Sequence, residues 1–328
     1  MKQSLALLYC VSLAAQVNFT QISSLPGPHD LVKLQGTRAY LASGKVLTMF
    51  DLSDAASPRR EGQFEFADRI WGFSIVGSLV YVADDLAGLA ILDVSDPSKP
   101  RLRSTLKTHG QAKAVVVSGT KALLVDHMEG LALVDVSDPT KPVAAGSLFL
   151  EGYARDVALS GSLAYAVDSP AGFYAVDLSK SGPLDFAGSL QSASGQTVAV
   201  AGAIACVPSR GGLQVFDVSN PSAPVLAATL KTPGTPLRVT IRGKRAYLAD
   251  GREGLQVVDL ADPSRPVIVG TYKTTSLARD VAVGEGLVLI VTVSEGTLVL
   301  RESELARALN CNIVSNTTES ASCFNILK

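Results

Sequence analysis

The sequence predicts an all-β fold, and three observations carry that prediction. A segment of about 42 residues recurs along the chain. Its apolar runs are four to six residues long, rich in Val, and bounded by Gly, Pro, Asp and Ser, which is typical of strands rather than helices. Composition agrees: 28 Gly and 16 Pro supply many turns, and a hydrophobic content of 47% excludes an intrinsically disordered chain.

The repeat is recognised by an Asp or Asn-Pro turn that follows an apolar run. Strong copies occupy residues 88–100, 130–142, 212–224 and 254–266; weaker copies occupy 46–58 and 172–183, and a last copy at 296–302 lacks the turn. The residue that ends each run recurs at steps of 42, 42, 42, 40, 42 and 42, at Asp51, Asp93, Asp135, Asp177, Asp217, Asp259 and Arg301. The chain therefore contains seven copies of one unit.

Each unit divides into four short strands. In the third unit these are residues 114–118, 122–125, 131–136 and 143–149, separated by a Gly turn, a loop and the Asp-Pro turn. Proline has the φ angle that such a turn needs, and the aspartate side chain can accept hydrogen bonds from the turn backbone. Four strands in 40 to 45 residues is the period of a β-propeller blade.

The two ends of the repeat region predict a closed ring. No fourth strand follows Arg301, whereas residues 17–27 resemble the fourth strands at 104–110 and 228–234. A strand from the N-terminus would complete the last blade and remove an open sheet edge. We therefore expect a seven-bladed β-propeller of four-stranded antiparallel blades over residues 17–302, with the N-terminal strand closing the last blade.

The termini are expected to lie outside the ring. Residues 1–15 combine a Lys, an apolar run and small residues, which favours a signal peptide; a hydrophobic segment retained in the fold is the alternative. Residues 303–328 are expected to form a short helix at 304–309 and then a mobile tail. Cys311 and Cys323 are candidates for a disulfide there, while Cys206 is expected to be a buried packing residue.

The recurrent string G-L-x, two apolar residues, D, an apolar residue and S-D-P-S-x-P resembles the LVIVD-repeat family. The resemblance spans residues 30–302, and four copies match closely. Departures are Ala55 and Ala56 in the first turn, 180–182 in the fourth, and the shortened last copy. The resemblance implies an extracellular or cell-surface β-propeller, in a family mostly without an established activity.

The two faces of the expected propeller differ in sequence. The Asp-Pro turns are nearly uniform, as structural turns should be. The loops on the other face diverge; they are residues 84–88, 126–130, 168–172, 209–212, 250–254 and 294–296. Loops that diverge where the fold does not need them are available for recognition, and neutral drift is the alternative explanation. We call this the variable face.

The same face holds the rim of the central channel. Candidate binding residues at the start of the inner strands are Trp71, Lys113, Arg155, Asp156, Gln196, Arg238, Arg279 and Asp280, with Asp30 beside them. Arginine forks at a rim suit a carboxylate, a phosphate or an acidic peptide. The alternative is that each Arg pairs with a neighbouring Asp and joins adjacent blades. Trp71 is expected either to stack a ligand or to pack between blades.

Function is expected to be non-catalytic binding. The net charge of −1 disfavours nucleic acid, and no catalytic, nucleotide or metal motif occurs, so no catalytic residue, cofactor or metal is assigned. We expect a monomeric scaffold or binding module that is secreted, periplasmic or on the cell surface, without a transmembrane segment in the mature chain, and that binds protein or glycan.

The alternative is a metal-dependent hydrolase or lyase of the lactonase-like propeller type, with a site over the channel. Asp126, His127 and Glu129 could contribute ligands, although a solvated turn is the simpler interpretation.

Overall fold

The computed structural model describes residues 16–304 except 128, 170–171, 181 and 192–194, and this part of the chain is built of strands without a helix. The strands are β1 Val17–Leu25, β2 Leu31–Gln35, β3 Arg38–Ser43, β4 Val46–Asp51, β5 Arg59–Glu65, β6 Gly72–Val76, β7 Leu79–Ala83, β8 Leu89–Asp93, β9 Arg101–Leu106, β10 Ala112–Ser118, β11 Lys121–Asp126, β12 Gly130–Asp135, β13 Val143–Leu148, β14 Tyr153–Ser160, β15 Leu163–Ser169, β16 Gly172–Asp177, β17 Phe186–Leu190, β18 Ala199–Ala201, β19 Ile204–Ser209, β20 Gly212–Asp217, β21 Val225–Leu230, β22 Arg238–Arg242, β23 Arg245–Ala249, β24 Leu255–Asp259, β25 Val267–Tyr272, β26 Ala278–Val283, β27 Leu287–Thr292 and β28 Thr297–Glu304.

The strands form five four-stranded antiparallel sheets and one sheet of eight. The first five sheets are β2–β5, β6–β9, β10–β13, β14–β17 and β18–β21, each in chain order. The eight-stranded sheet has the order β22-β23-β24-β25-β1-β28-β27-β26. Its two halves are joined between β25 and β1 by a single parallel pair, Val17 with Gly270. The all-β prediction and the four-stranded antiparallel sheets are confirmed.

The N-terminal strand pairs with the last strand. β1 runs antiparallel to β28 over eight residue pairs, from Val17 opposite Glu304 to Leu25 opposite Thr297. Val17 and Leu25 are buried at the two ends of the strand. β28 continues two residues beyond the boundary expected at 302, because its last residues still pair with β1, so Glu304 lies in a strand rather than in a helix.

The hydrophobic core is divided into clusters between neighbouring sheets. Within the β14–β17 sheet, Tyr165 stacks on Phe173 with ring centroids 5.5 Å apart, and Phe173 stacks on Phe216 of the β18–β21 sheet at 5.2 Å. One cluster joins Leu289 and other residues of β26–β28 to Leu41 in the first sheet. The last strands therefore pack on the first ones in the same way as consecutive sheets do, which is what a closed ring requires.

The recurrent aspartates form the turns. Asp93 accepts the Ser95 N–H at 2.8 Å, and Asp96 accepts the Ser98 N–H at 3.1 Å and its hydroxyl at 2.6 Å. The N–H of Ser95, together with Arg103, lowers the pKa of Asp93 to about 2. The first of these bonds recurs at Asp51, Asp135, Asp177, Asp217 and Asp259.

Several of these turns also lie against the outer strand of the preceding sheet. The Ser104 hydroxyl of β9 donates to the Pro139 carbonyl at 2.7 Å. At the corresponding position in β17, Gly188 lies so close to the Pro221 carbonyl that a Cβ would collide with it. Ser23 of β1 donates to the Ala55 carbonyl at 2.6 Å, so the same contact joins the last strands to the first sheet.

Three predictions concern residues that the structure does not describe. They are the signal peptide at 1–15, the tail beyond Glu304, and the Cys311–Cys323 disulfide. Cys206 is a free, buried thiol whose pKa is raised to about 12 by desolvation, in agreement with a packing role. In the part of the chain that is described, no helix has the length and apolarity needed to cross a bilayer.

Candidate functional site

A channel runs between seven strands, and residues of all seven line one cavity of about 370 Å³. We call them the inner strands; they are β2, β6, β10, β14, β18, β22 and β26. A second cavity, of about 530 Å³, lies where these strands begin, and we call it the mouth. Its lining residues are Asp30, Leu31, Arg69, Ile70, Trp71, Lys113, His127, Arg155, Asp156, Gln196, Thr197, Leu237, Arg238 and Arg279.

The structure brings the predicted rim residues together at two levels. Trp71, Lys113, Arg155, Gln196 and Arg279 line the mouth. Arg238 and Asp156 line both the mouth and the channel, and Asp280 lines the channel alone. The residues that come directly before these three in the sequence, Leu237, Arg155 and Arg279, also line the mouth. The mouth is also lined by residues that sequence reasoning did not place at the rim, which are Leu31, Arg69, Ile70, His127, Thr197 and Leu237.

Three of the mouth cations occupy β-bulges. In β10, Ala112 pairs with Asp126 and Ala114 with Val125, so that Lys113 between them has no pairing partner. Arg155 in β14 and Arg279 in β26 stand at the same kind of register shift. A bulge turns a side chain out of the regular alternation of a strand. The tetrapeptide Ala-Arg-Asp-Val, which occurs twice, is the sequence signal of this geometry.

Trp71 lies in the mouth between cationic side chains. Its ring centroid is 3.9 Å from Lys113 Nζ and 4.7 Å from Arg69 Cζ, which are cation–π distances. The indole Nε1 is buried and has no hydrogen-bond partner in the described part of the chain. The ring is partly exposed, so Trp71 is part of the mouth wall.

Ion pairs at the mouth satisfy only some of the cations. Asp30 receives both Arg69 Nη2 at 3.2 Å and Arg279 Nη1 at 2.8 Å. Lys113 Nζ lies 3.5 Å from Asp85. Arg155 has no ion pair with any described residue and lies over the Tyr153 ring at 6.0 Å. The expected pairing of each Arg with a neighbouring Asp therefore holds for Arg279 but not for Arg155.

The mouth carries an excess of positive charge. Its lining holds five cationic side chains, Arg69, Lys113, Arg155, Arg238 and Arg279, against the carboxylates of Asp30 and Asp156. The rim residues named from the sequence, with Asp30, are nearly balanced in charge, because they include Asp280 and lack Arg69. Charges of one sign in a concave site concentrate the electrostatic field there, so this cavity favours anions.

The two channel aspartates accept hydrogen bonds from the backbone, and Asp280 also forms an ion pair with Arg238 at 4.0 Å. Asp156 accepts the Val157 N–H at 2.9 Å and the Val198 N–H of the next sheet at 3.1 Å. Asp280 accepts the Val281 and Val32 N–H groups, both at 2.8 Å. Desolvation raises the pKa of both carboxyls. Each aspartate thus links its own inner strand to the segment that begins the next one.

Buried aspartates also anchor the variable loops. Asp126 and Asp168 are buried and accept the N–H groups of Gly110 at 3.0 Å and Gly152 at 2.9 Å. The neighbouring His127 stacks on Tyr153, with centroids 5.2 Å apart, and its Nδ1 lies 3.3 Å from the Ala154 carbonyl. Asp126 and His127 therefore turn to different partners. Among the described residues, no group of three or more His, Cys, Asp or Glu is arranged to hold a metal ion.

Exposed apolar side chains surround the mouth on the variable face. Phe149 is 67% exposed and Tyr153 is 49% exposed, in the segment that leads to Arg155. Leu86, Leu237 and Val293 are exposed in other loops of this face. Protein-binding surfaces are enriched in aromatic residues and in Arg.

Comparison with known proteins identifies the repeat and the fold. A family model described as the LVIVD repeat matches residues 69–108, 109–148, 151–190, 193–232 and 233–274. The β-propeller domain of Cps50 (Swd1) from Myceliophteria thermophila is similar in structure, with a TM-score of 0.71 and 12% identity, over 86% of this chain and 98% of that one. The computationally designed Ika8 protein is similar with a TM-score of 0.66 and 6% identity, over 88% and 100% of the two chains. At such identities the likeness shows a propeller fold and nothing of function. No curated protein matches the sequence.

Proposed function

Because the chain belongs to the LVIVD-repeat family, we propose that it is a non-catalytic, secreted or surface-exposed β-propeller that binds an acidic segment of a partner protein at its mouth. The observation that carries the proposal is the mouth itself, with five cationic side chains against two carboxylates. Arginine binds carboxylates through two parallel hydrogen bonds, so a row of arginines suits Asp and Glu side chains.

The proposal includes a ring of seven blades. It counts β22–β25 as one blade and β26–β28 with β1 as another, although the two lie in one eight-stranded sheet. The support is that a single residue pair joins these halves, and that seven inner strands line the channel. An experimental structure with a different number of inner strands would contradict the count.

The apolar side chains of the variable face support a protein as the partner. Phe149 and Tyr153 stand beside Arg155, and aromatic residues and Arg dominate the binding energy of protein interfaces. An acidic segment with an apolar residue nearby would contact both the cations and these rings. A glycan without charge would leave the cations without a counter-charge.

An extracellular location is part of the proposal. The family resemblance and the signal-like pattern of residues 1–15 support it. The intact mass of the exported protein would test it, because removal of a signal peptide shortens the chain. A mature protein that retains residues 1–15 would contradict secretion by this route.

Binding of a fluorescent ten-residue Glu and Asp peptide, measured by anisotropy, tests the site. We expect Arg155→Ala with Arg279→Ala to raise the Kd by about tenfold or more, since each Arg supplies a charge-assisted hydrogen bond. Affinity should also fall with added salt. The matched control is Arg242→Ala with Lys244→Ala, at the other end of β22 from Arg238, which should leave binding unchanged. Equal binding by the double Arg variant, or preference for an uncharged glycan, would contradict the proposal.

A further inference from the structure

The channel below the mouth holds its own set of charges. Arg238, Asp156 and Asp280 stand at its upper level, next to the mouth. Lys33 also lines the channel, two residues further along β2 than Leu31, which occupies the upper level in that strand. The walls around the Lys33 level are small and apolar, with Ala158, Ala199 and Ala282 among them.

The acceptors in this channel are already used. Each of the four oxygens of Asp156 and Asp280 accepts a backbone N–H, at distances between 2.8 and 3.1 Å. These bonds hold the strands together and use one of the two lone pairs of each oxygen. The two carboxylates therefore serve the fold first.

The donors, in contrast, make no hydrogen bond with described residues. Arg238 Nε forms an ion pair with Asp280 Oδ1 at 4.0 Å, which is beyond hydrogen-bond distance. Lys33 donates no hydrogen bond to any described residue, and it lies 5.7 Å from the Phe73 ring centroid. Its side chain keeps solvent-accessible surface because it projects into the open channel. The two cations together offer up to eight N–H donors to whatever occupies the channel.

From this arrangement we propose that the channel binds a small dicarboxylate, with one carboxylate at Lys33, the other at Arg238, and the methylene spacer against the alanine wall. Two residues along a strand separate these levels by about 7 Å along the channel axis. Strand β26 stands between β2 and β22, so the diacid must also span the width between those two strands. The cavity of about 370 Å³ is large enough for such a molecule. Loss of hydration inside the channel lowers the pKa of Lys33, and the charges of Asp156 and Asp280 oppose that shift.

This inference goes beyond the proposed function, because it assigns a small-molecule site in the channel below the surface where the partner is proposed to bind. The two cavities share Leu31, Asp156, Thr197 and Arg238, whereas Lys33 lines the channel and not the mouth. Failure of one can therefore be told from failure of the other by choosing the probe and the variant.

Isothermal titration of the full chain with malonate, succinate, glutarate and adipate, and with acetate for comparison, tests the site. We expect at least one diacid to bind with a single site and more tightly than acetate. We expect Lys33→Met to raise its Kd by about tenfold or more, the equivalent of one hydrogen bond to a charged group. The matched control Lys231→Met changes an exposed lysine of the loop after β21 and should bind as the unaltered protein does.

Two further measurements keep the outcome decisive. Lys33→Arg keeps the cation and should retain diacid binding, so it tests the site even if Lys33→Met does not fold. Arg238→Gln removes the second cation and should weaken diacid binding. Absence of binding by every diacid, equal binding by Lys33→Met, or equal affinity for acetate would each overturn the inference. The acidic peptide would still bind in those cases if the proposed function is correct.

Discussion

At the scale of single residues, the same residue type serves different ends at different places. Asp93 and its counterparts accept turn N–H groups, and the pKa values of Asp51, Asp93, Asp135, Asp177 and Asp217 are lowered. Asp156 and Asp280 accept N–H groups inside the channel, where burial raises the pKa. His29 is buried against the Thr297 hydroxyl at 2.9 Å, beside the paired terminal strands. Environment, not residue type, decides each role.

His29 should make the protein less stable in mild acid. Burial lowers its pKa below the ordinary value of 6.5, so the unfolded chain takes up a proton more readily than the folded one. Its contribution to stability is complete above the unfolded pKa and is lost as pH falls below it. We expect His29→Gln to reduce the difference in urea midpoint between pH 7 and pH 5.

His109→Gln is the matched control, because His109 is exposed. The aspartates with raised pKa values are present in both variants, so their effect cancels in the comparison. An unchanged pH dependence in His29→Gln would contradict the assignment.

At the scale of strands, β-bulges position cationic side chains at the mouth. The bulges at Lys113, Arg155 and Arg279 direct cations into the mouth. The outer strands also share a register shift, next to the position of Ser104 and Gly188. There the strand lies against the Asp-Pro turn of the following sheet, which explains why a small residue stands at that point.

Gly188→Ala should destabilise the protein. The new Cβ would collide with the Pro221 carbonyl and the Ser222 backbone, which are not free to move, and overpacking of this kind costs about 1–3 kcal/mol. Urea unfolding at constant pH measures the change. Ala145→Ser, at an exposed position of the outer strand β13, should change the unfolding free energy little. Equal stability of both variants would show that the turn yields at Gly188.

At the scale of the whole molecule, closure depends on contacts between the chain ends. β1 pairs with β28, the Ser23 hydroxyl donates to the Ala55 carbonyl in the turn after β4, and Asp280 accepts the Val32 N–H. The Asp280–Val32 bond joins residues 248 positions apart, and the pairs between β1 and β28 are further apart still. A ring without them would expose the unpaired edge of β28.

Removal of residues 1–25 should therefore open the ring. We expect the shortened chain to associate or to lose its cooperative unfolding transition, because β28 would become a free edge strand next to exposed core. Size-exclusion chromatography and urea unfolding would show this. Removal of residues 1–15 alone keeps β1 and provides the control. A monomeric, cooperative protein without residues 1–25 would contradict the role given to β1.

The sequence by itself determined the strands, the repeat and the partner of the last strand, because each follows from local turn chemistry and a period of about 42 residues. It also indicated most of the mouth, since equivalent residues of a repeat come to one level in a ring. Only the tertiary structure decided how those charges are used. Whether Arg155 meets an aspartate, whether Asp280 bonds backbone, and that Arg69 joins the mouth depend on bulges and on contacts between blades, which no local pattern encodes.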